Sequence, residues 1–572
     1  MSSLWVSYLS FVVTLISVVC GNVLVDFQVV QPPVVPKGVQ ECTVKVLEHT
    51  FGNSYGHSEI VDLVPPTDCG TPGEWSAITL NFTVTSNGTQ YDRLGIFTFH
   101  NVEIWRTSTP EPTTDGIIWT YIKDVTQYMP LFAENGTFIL ELDNIVDSSL
   151  TGEYATVLYA TYYAATDAYP AADKADKIIP LSTLANTTGD DASVPPAFST
   201  NVTVPVNTVA IYAELFASGN GDEEFWYASV ANEFLDDLPE DYAYGDGPFR
   251  EVRLLVDGYV AGVAFPYPVV FTGGWSPASW RPITSYGALD LPTYVIDVTP
   301  FVPMLTDGET HNFTIDVASA ESNHSILSNW YVSGNLKVVT DSSSSATTGN
   351  ITTYSADDYA VSTVSGAFTG DAGSVTVTAS RKIYIESDIL SGSGVSTHVI
   401  WTQELEYSNL QTYSDDWLVE VINQTSTGTS TSLHNNVTVV SDKFSYPCNI
   451  DFVYLSDEYT NWTFYMDHSY VRDLQASPLV RGTTIDNLQT TFSLFQETST
   501  GNYGYGLNNN TFYYEDTDGN TFSRRVNAAY NNVTLDIVGG SLAEQFVTSN
   551  ATEITLFAAA RRPGLPLVAG VA

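Results

Sequence analysis

Basic residues are scarce in this chain. Across 572 residues, 20 Lys and Arg face 65 Asp and Glu, a formal net charge of −45. Such a surface repels a phosphate backbone, which excludes nucleic acid as a partner, and it excludes electrostatic docking on anionic lipid. A chain this acidic loses much of its self-repulsion as pH falls towards its carboxylate pKa values, so it suits an acidic exterior. Asp467-His468 has no second His at helical spacing, which argues against a metal site. The run Glu515 to Asn520 lacks the ligand spacing and closing Glu of a calcium loop and reads as a hairpin turn. Glycine-rich phosphate loops between a strand and a helix are missing too, so no nucleotide cofactor is expected, and none of any other kind. Helices of ordinary length with a 3.6 period do not stand out, and no short-period repeat is present.

Cysteine is sparse, with four residues. The first 21 residues form an apolar run ending in small residues and read as a secretory signal peptide, the alternative being an uncleaved signal anchor. If Cys20 leaves with it, Cys42, Cys69 and Cys448 remain. Cys42 and Cys69 share one N-terminal stretch and are expected to pair; Cys448 is then odd and buried. Without a neighbouring His, Cys448 is a poor candidate nucleophile.

What the chain has in abundance is Tyr, Phe, Val and Thr in short alternating runs, the composition of packed β-structure. The expected fold is all-β: two tandem jelly-roll-like β-sandwiches and a C-terminal β-rich region. Residues 22–166 form the first sandwich, with runs such as SAITLNFTV and GTFILELDN, and residues 201–340 the second. Between them, 167–200 lacks periodicity and reads as a linker or long loop. A Ser/Thr-rich linker at 341–353 leads to the C-terminal region, 354–572. Fourteen N-x-Ser/Thr sequons begin at Asn81, Asn87, Asn135, Asn186, Asn201, Asn312, Asn323, Asn350, Asn423, Asn436, Asn461, Asn509, Asn532 and Asn550. With the leader they favour a glycoprotein that is secreted or associated with a cell wall, with no stable membrane insertion after cleavage.

One segment concentrates ionisable residues in a chain that has few: TQYDRLGIFTFHNVEIWRTSTPEPTTDGIIWTYIK, Thr89 to Lys123. Asp92 and Arg93 precede a run with the period of a strand, and Arg106 and Glu111 follow near a Pro-rich turn. Further on, Glu223 and Glu224 lie beyond a Gly-Asn-Gly turn, and on a strand only one of two neighbours can point into a cleft. The stretch GGWSPASWRPIT sets Arg281 beside Trp275 and Trp280, whose ring faces suit sugar stacking.

These segments, together with CTVKVLEHTFGNSYG, VPPTDC, DEEFWYASVANEF, GPFREVRLLVDG and LPTYVIDVTPF, resemble the peptide N-glycosidase A family of plants and fungi over about Phe27 to Val339, and more loosely around MDHSYVRDL. The resemblance implies a metal-independent amidase that acts on N-glycosylated peptides or proteins and cleaves the Asn side-chain amide to N-acetylglucosamine. It also implies site residues. Tyr91-Asp92-Arg93 matches the aromatic-Asp-Arg motif of the bacterial peptide N-glycosidases, which makes Asp92 the general base. Glu224-Phe225 matches their Glu-Phe, and Arg281 is the oxyanion or carbonyl partner. Arg93, Arg106, Glu111, Trp119, Asp143, Trp275 and Trp280 are the candidate substrate-binding wall. The bacterial carboxylate near the end of the first domain has no unambiguous counterpart here. Two other functions compete: a catalytically inactive glycan-binding or cell-wall protein, and a glycoside hydrolase using the same acids.

Overall fold

The computed structural model describes residues 23–546, apart from 457, 477, 478 and 500. The expected signal peptide and the sequon at Asn550 lie outside the described residues. What is described is β-structure with a few short helices of at most eight residues.

The first sandwich packs two sheets face to face. One has the order Leu24–Asp26, Ile117–Asp124, Trp75–Ser86, Tyr154–Ala164, Glu41–Phe51; the other runs Glu59–Leu63, Gly136–Leu142, Leu94–Phe99, Val102–Ser108. Alternating apolar residues of both inner faces make its core. Phe97 stacks on Trp105 with ring centroids 4.5 Å apart, and Phe82 meets both edge-on. The second sandwich repeats the pattern. Lys177–Leu181, Asn329–Thr340, Thr208–Asn220 and Tyr294–Asp297 form one sheet, and Phe198–Val202, His311–Ala318, Glu251–Val256 and Tyr259–Ala264 the other. In each sandwich an early strand lies beside the last one, so the halves of each unit are closed by long-range pairing. The stretch 167–200, expected to be a linker or loop, holds the strands Lys177–Leu181 and Ala192–Val194 and the start of Phe198–Val202. These are three to five residues long, with Pro inside or beside them, too short to display a period of two.

From Thr348 to Gly539 the chain folds into a single 11-stranded antiparallel sheet in nearly sequential order, with strands up to 19 residues long. It begins inside the 341–353 stretch expected to be a linker. One face of this sheet is packed against the second sandwich.

Buried ion pairs fix the two sandwiches against each other. Arg106 forms a two-pronged pair with Glu103 at 2.7 and 2.8 Å. Its remaining nitrogen donates across the boundary to Ser218 Oγ at 2.8 Å and the Tyr331 carbonyl at 2.6 Å. Tyr128 and Lys337 meet on Glu214 at 2.8 and 2.9 Å. Buried charges paired this fully hold a geometry even where they add little net stability. Cys42 and Cys69 form the expected disulfide, and Cys448 is a buried free thiol whose pKa burial pushes up.

Candidate active site

Asp92 lies in the loop that leads into Leu94–Phe99, at the boundary between the sandwiches. Its loop is tied down on all sides. Arg93 N donates to Thr109 Oγ1 at 2.8 Å, Thr109 N returns a bond to the Arg93 carbonyl at 2.9 Å, and the Tyr154 hydroxyl donates to the Tyr91 carbonyl at 2.7 Å. Opposite stands the 3₁₀ segment Gly221–Ala228 of the second sandwich, which carries Glu224. Between them is a cavity of about 80 Å³ that both carboxyl groups line, with Ser108, Asn220 and Phe271. That volume holds a few waters.

The neighbouring glutamates have opposite fates. Glu223 is fully buried and saturated by Arg250 at 2.6 and 2.7 Å, Trp330 Nε1 at 2.6 Å and Leu327 N at 2.7 Å. Glu224 turns into the cavity. One glutamate anchors the segment and the other faces the opening, and both stand on a 3₁₀ turn rather than on a strand.

A third carboxyl group, Glu111, joins them. The segment that carries it is held by Thr272 Oγ1, which donates to the Thr109 carbonyl at 2.7 Å. Arg281 Nη2 donates to the Glu111 carbonyl at 2.8 Å and the Pro112 carbonyl at 3.3 Å, and stands 3.7 Å from the Glu111 carboxylate. Gly273 fits between Asp92 and Glu111. Its backbone N–H bonds Asp92, and a side chain there would run into the Glu111 carboxylate and come within 3.0 Å of Asp92 Oδ1. A fourth carboxyl is buried behind Arg281: Asp26 accepts from Phe27 N at 2.8 Å, and its other oxygen has no partner within the protein. Phe27 N and O bond Pro282 O and Thr284 N, each at 3.0 Å, which brings Asp26 beside the Arg281 loop.

Removal from water and mutual repulsion spread the proton affinities of these groups. Burial lifts Asp92 to about 6 against bonds from backbone N–H groups and the Arg93 charge. Glu111 is lifted to about 7 by burial and the Asp92 charge, with Arg281 opposing. Glu224 goes well above the usual carboxylate range through burial, then the charges of Asp92 and Glu111. Burial lifts Asp26 to about 8, a rise that the Phe27 N–H bond and the Arg281 charge oppose. Near pH 6 the cavity therefore holds one carboxyl poised to ionise among others that keep their protons.

The other sequence candidates fall in different places. Arg93 holds Gln90 Oε1 at 2.7 Å and Asn144 Oδ1 at 3.2 Å and lines the cavity. Asp143 accepts from Gly56 N at 2.9 Å, near Arg93, at the outer edge of this network. Trp275 is half-buried, donates to the Tyr227 hydroxyl at 3.1 Å and packs on Phe225. Three candidates are drawn away from any open wall by packing: Arg106 by its ion pair with Glu103, Trp119 by the core of the first sandwich, and Trp280 by full burial with Nε1 on the Gly274 carbonyl at 2.8 Å. Sequence reasoning placed Glu111 in a wall rather than beside Asp92, and missed Asp26 and Gly273. Only the paired glycines ahead of Trp275 hinted at a close approach. Among the described residues, no group of three or more His, Cys, Asp or Glu is arranged to hold a metal ion.

Residues 32–357 match the profile of the family described as peptide N-acetyl-beta-D-glucosaminyl asparaginase amidase A, and residues 374–448 match its C-terminal domain. A relative from Prunus dulcis, peptide-N4-(N-acetyl-beta-glucosaminyl)asparagine amidase A, is 33% identical over 420 residues, 70% of this chain and 71% of the relative. Among solved structures, PNGase F, a glycosylasparaginase from Flavobacterium meningosepticum, is 15% identical with a TM-score of 0.35, covering 54% of this chain and 98% of that one. PNGF-II is 14% identical with a TM-score of 0.36, covering 53% and 66%.

Proposed function

We propose that this chain, which belongs to the peptide N-acetyl-beta-D-glucosaminyl asparaginase amidase A family, hydrolyses the amide between an Asn side chain and N-acetylglucosamine in N-glycosylated peptides or proteins. The observation that carries the reading is the set of carboxyl groups with separated proton affinities around one small cavity, Asp92 and Glu224 from opposite sandwiches.

The steps follow from that order. An amide is a poor electrophile, so water must be activated, the oxyanion held and the leaving nitrogen protonated. Asp92 ionises first and takes the proton of a water that attacks the side-chain carbonyl carbon. The developing oxyanion is stabilised by the Arg281 cation and backbone N–H groups. Glu224, which keeps its proton, gives it to the side-chain nitrogen as the carbon–nitrogen bond breaks. The peptide leaves with Asp, and the released glycosylamine loses ammonia in water. Burial keeps the Asp92 pKa up near the working pH, the Asp92 charge in turn helps Glu111 to keep its proton, and Arg281 holds the Glu111 segment in place. Separated affinities within one cleft are what divide acid from base roles among like groups.

The disulfide supports export to an oxidising compartment, as does the finding that none of the described sequon asparagines is buried. No helix among the described residues is long and apolar enough to cross a membrane. N-terminal sequencing of protein recovered from a eukaryotic culture medium tests export and cleavage near residue 21; retention in the membrane fraction with an intact N-terminus would refute it.

The activity is tested by mass spectrometry of a defined glycopeptide after incubation with the purified protein at mildly acidic pH. Conversion of the glycosylated Asn to Asp with release of the whole glycan is expected. A peptide that keeps one sugar would overturn the amidase reading in favour of a glycosidase. Unchanged glycopeptide that is retained on immobilised protein would overturn it in favour of a binding module.

A further inference from the structure

The inner face of the C-terminal sheet carries amides where a core carries hydrocarbon. Asn487, Gln489, Asn508, Asn510, Asn409, Gln411 and Gln424 are all buried there. A buried amide without a partner costs about 1–3 kcal/mol; Asn508, Gln489, Asn409 and Gln411 find theirs in the loops of the second sandwich, Gln424 bonds within the sheet, and Asn487 and Asn510 have none within the protein.

The loop that carries Arg281 receives the bonds of Asn508 and Gln489. Asn508 Nδ2 donates to the Ser279 carbonyl at 2.8 Å and the Ile283 carbonyl at 3.3 Å, two residues to either side of Arg281. Thr491 Oγ1 lies within hydrogen-bond reach of the same Ser279 carbonyl at 3.3 Å and of the Leu507 carbonyl in its own sheet at 3.0 Å. Gln489 grips the loop from both sides of its amide, with Nε2 donating to the Thr284 carbonyl at 3.0 Å and Oε1 accepting from Tyr286 N at 2.8 Å. Nε2 also bonds Asn508 Oδ1 at 3.2 Å, which makes one network of the two. Gly506 lets the sheet come this near, since any side chain there would strike the Ala278 carbonyl. At the loop's other end, Trp275 stacks on Phe464 with centroids 5.5 Å apart and planes 11° from parallel. The segment behind Glu224 is held in the same way: Asn409 Nδ2 donates to the Tyr227 carbonyl at 2.9 Å and Gln411 Nε2 to the Ser229 carbonyl at 2.8 Å.

We propose that the C-terminal sheet is a functional part of the candidate active site, with Asn508, Gln489 and Asn409 as positioning residues that set the backbone from which Arg281 and Glu224 project. This rests on the assignment of those two residues above. Between Ala264 and Tyr294 the chain has no strand and one short 3₁₀ turn, Pro277–Trp280, so its backbone groups depend on partners from elsewhere. The sheet supplies them at the points that flank Arg281.

The test uses full-length Asn508→Ala and Gln489→Ala variants, each alone and combined with Arg281→Ala. Hydrogen exchange at the Tyr286 amide and across residues 277–286 is expected to rise by about tenfold or more, while the strand Leu94–Phe99 of the first sandwich keeps its protection. On a glycopeptide, Asn508→Ala is expected to lower kcat roughly 10- to 100-fold with KM within about twofold, as a misplaced catalytic group does. In an Arg281→Ala background the same change should cost nothing further, because its effect runs through that side chain. Thr490→Ala, on the strand Thr483–Thr498 that carries Gln489 but on its opposite face, should leave kcat unchanged. Losses that multiply in the double variant, or loop exchange that stays at the wild-type rate, would overturn the proposal and leave the sheet as a stabiliser only. Should Asn508→Ala fail to fold, Gln489→Ala, which removes the bonds to the Thr284 carbonyl and the Tyr286 amide, enters the same cycle. Failure of the amidase reading is visible separately, as a wild-type protein that converts no glycopeptide; the exchange measurement still decides whether the sheet positions the loop.

Discussion

Gly273→Ala is the most direct probe of the carboxylate pair. The added methyl carbon would sit closer than van der Waals contact to the Glu111 carboxylate, 3.0 Å from its carboxyl carbon and 3.0 Å from Asp92 Oδ1. Backbone conformation at 273 is open to alanine, so the strain falls on the two side chains. Carbon contacts relax at about 3.5–4 Å, which asks the carboxylates to move by roughly an ångström. A displacement of that size at a reacting group costs on the order of a hundredfold in rate, or about 2.7 kcal/mol of barrier. The methyl also removes water from both oxygens, which raises the pKa of the base and carries the acid limb of the pH–rate profile upward. Rates of glycopeptide conversion, followed by mass spectrometry over a pH series, give both quantities, and calorimetry shows whether the fold is kept. A Gly273→Ala variant that turns over within about twofold of wild type at every pH would falsify the placement of Asp92 and Glu111 against this glycine.

Four further outcomes are expected. The wild-type pH–rate profile should be bell-shaped, rising as Asp92 loses its proton near pH 6 and falling as the groups with higher affinity, Glu111 at about 7 and Glu224 above it, give theirs up; Asp92→Asn should abolish turnover, and full activity in that variant would remove Asp92 as base. Stability should fall as pH rises from about 5 to 8, because Asp26, Asp92, Glu111, Asp190, Asp191 and Glu420 all have folded-state affinities raised to between about 6 and 8 by burial. Over that window the folded chain holds more protons than the unfolded one, so the unfolding free energy decreases with pH, and a Tm that climbs from pH 5 to pH 8 would contradict the assignment. Arg250→Ala should destabilise by about 3–5 kcal/mol, since it leaves the buried Glu223 carboxylate without its cation. Chemical denaturation reads that loss, and a change below about 1 kcal/mol would mean that Glu223 takes up a proton or solvent instead.

How much of this was legible depended on whether a residue's neighbours in sequence are its neighbours in space. Asp92 and Glu224 could be singled out as candidates through short motifs, because the turn that aims each of them is local. Glu111 was visible as an acid in a poor background of charge, but nothing near it says that a glycine 162 positions later will pin it beside Asp92. Asp26 carried no local signal at all, since its burial is created by the loop that folds over it. Tryptophans misled for another reason: composition does not tell a ring that stacks on a ligand from one that fills a core, and Trp119 and Trp280 fill cores. The all-β class and the two sandwiches followed from alternation, while the extent of the C-terminal sheet did not. Its buried Asn, Gln, Ser and Thr positions blur the contrast between faces that alternation relies on.

The clamp between Arg106, Glu103, Ser218 and Tyr331 has a consequence for how a substrate gains entry. Arg106 sends two charge-assisted bonds across this buried boundary, to Ser218 and Tyr331, and Ser333 donates a third to Glu103, which leaves no low-cost hinge between the sandwiches and gives the gap over Asp92 and Glu224 one fixed aperture. A gate of constant width discriminates by the pliancy of the guest. Under the amidase function proposed above, a glycosylated Asn on a short peptide or an unfolded stretch is expected to thread into it, whereas the same residue on a stiff, folded host is expected to need loosening first.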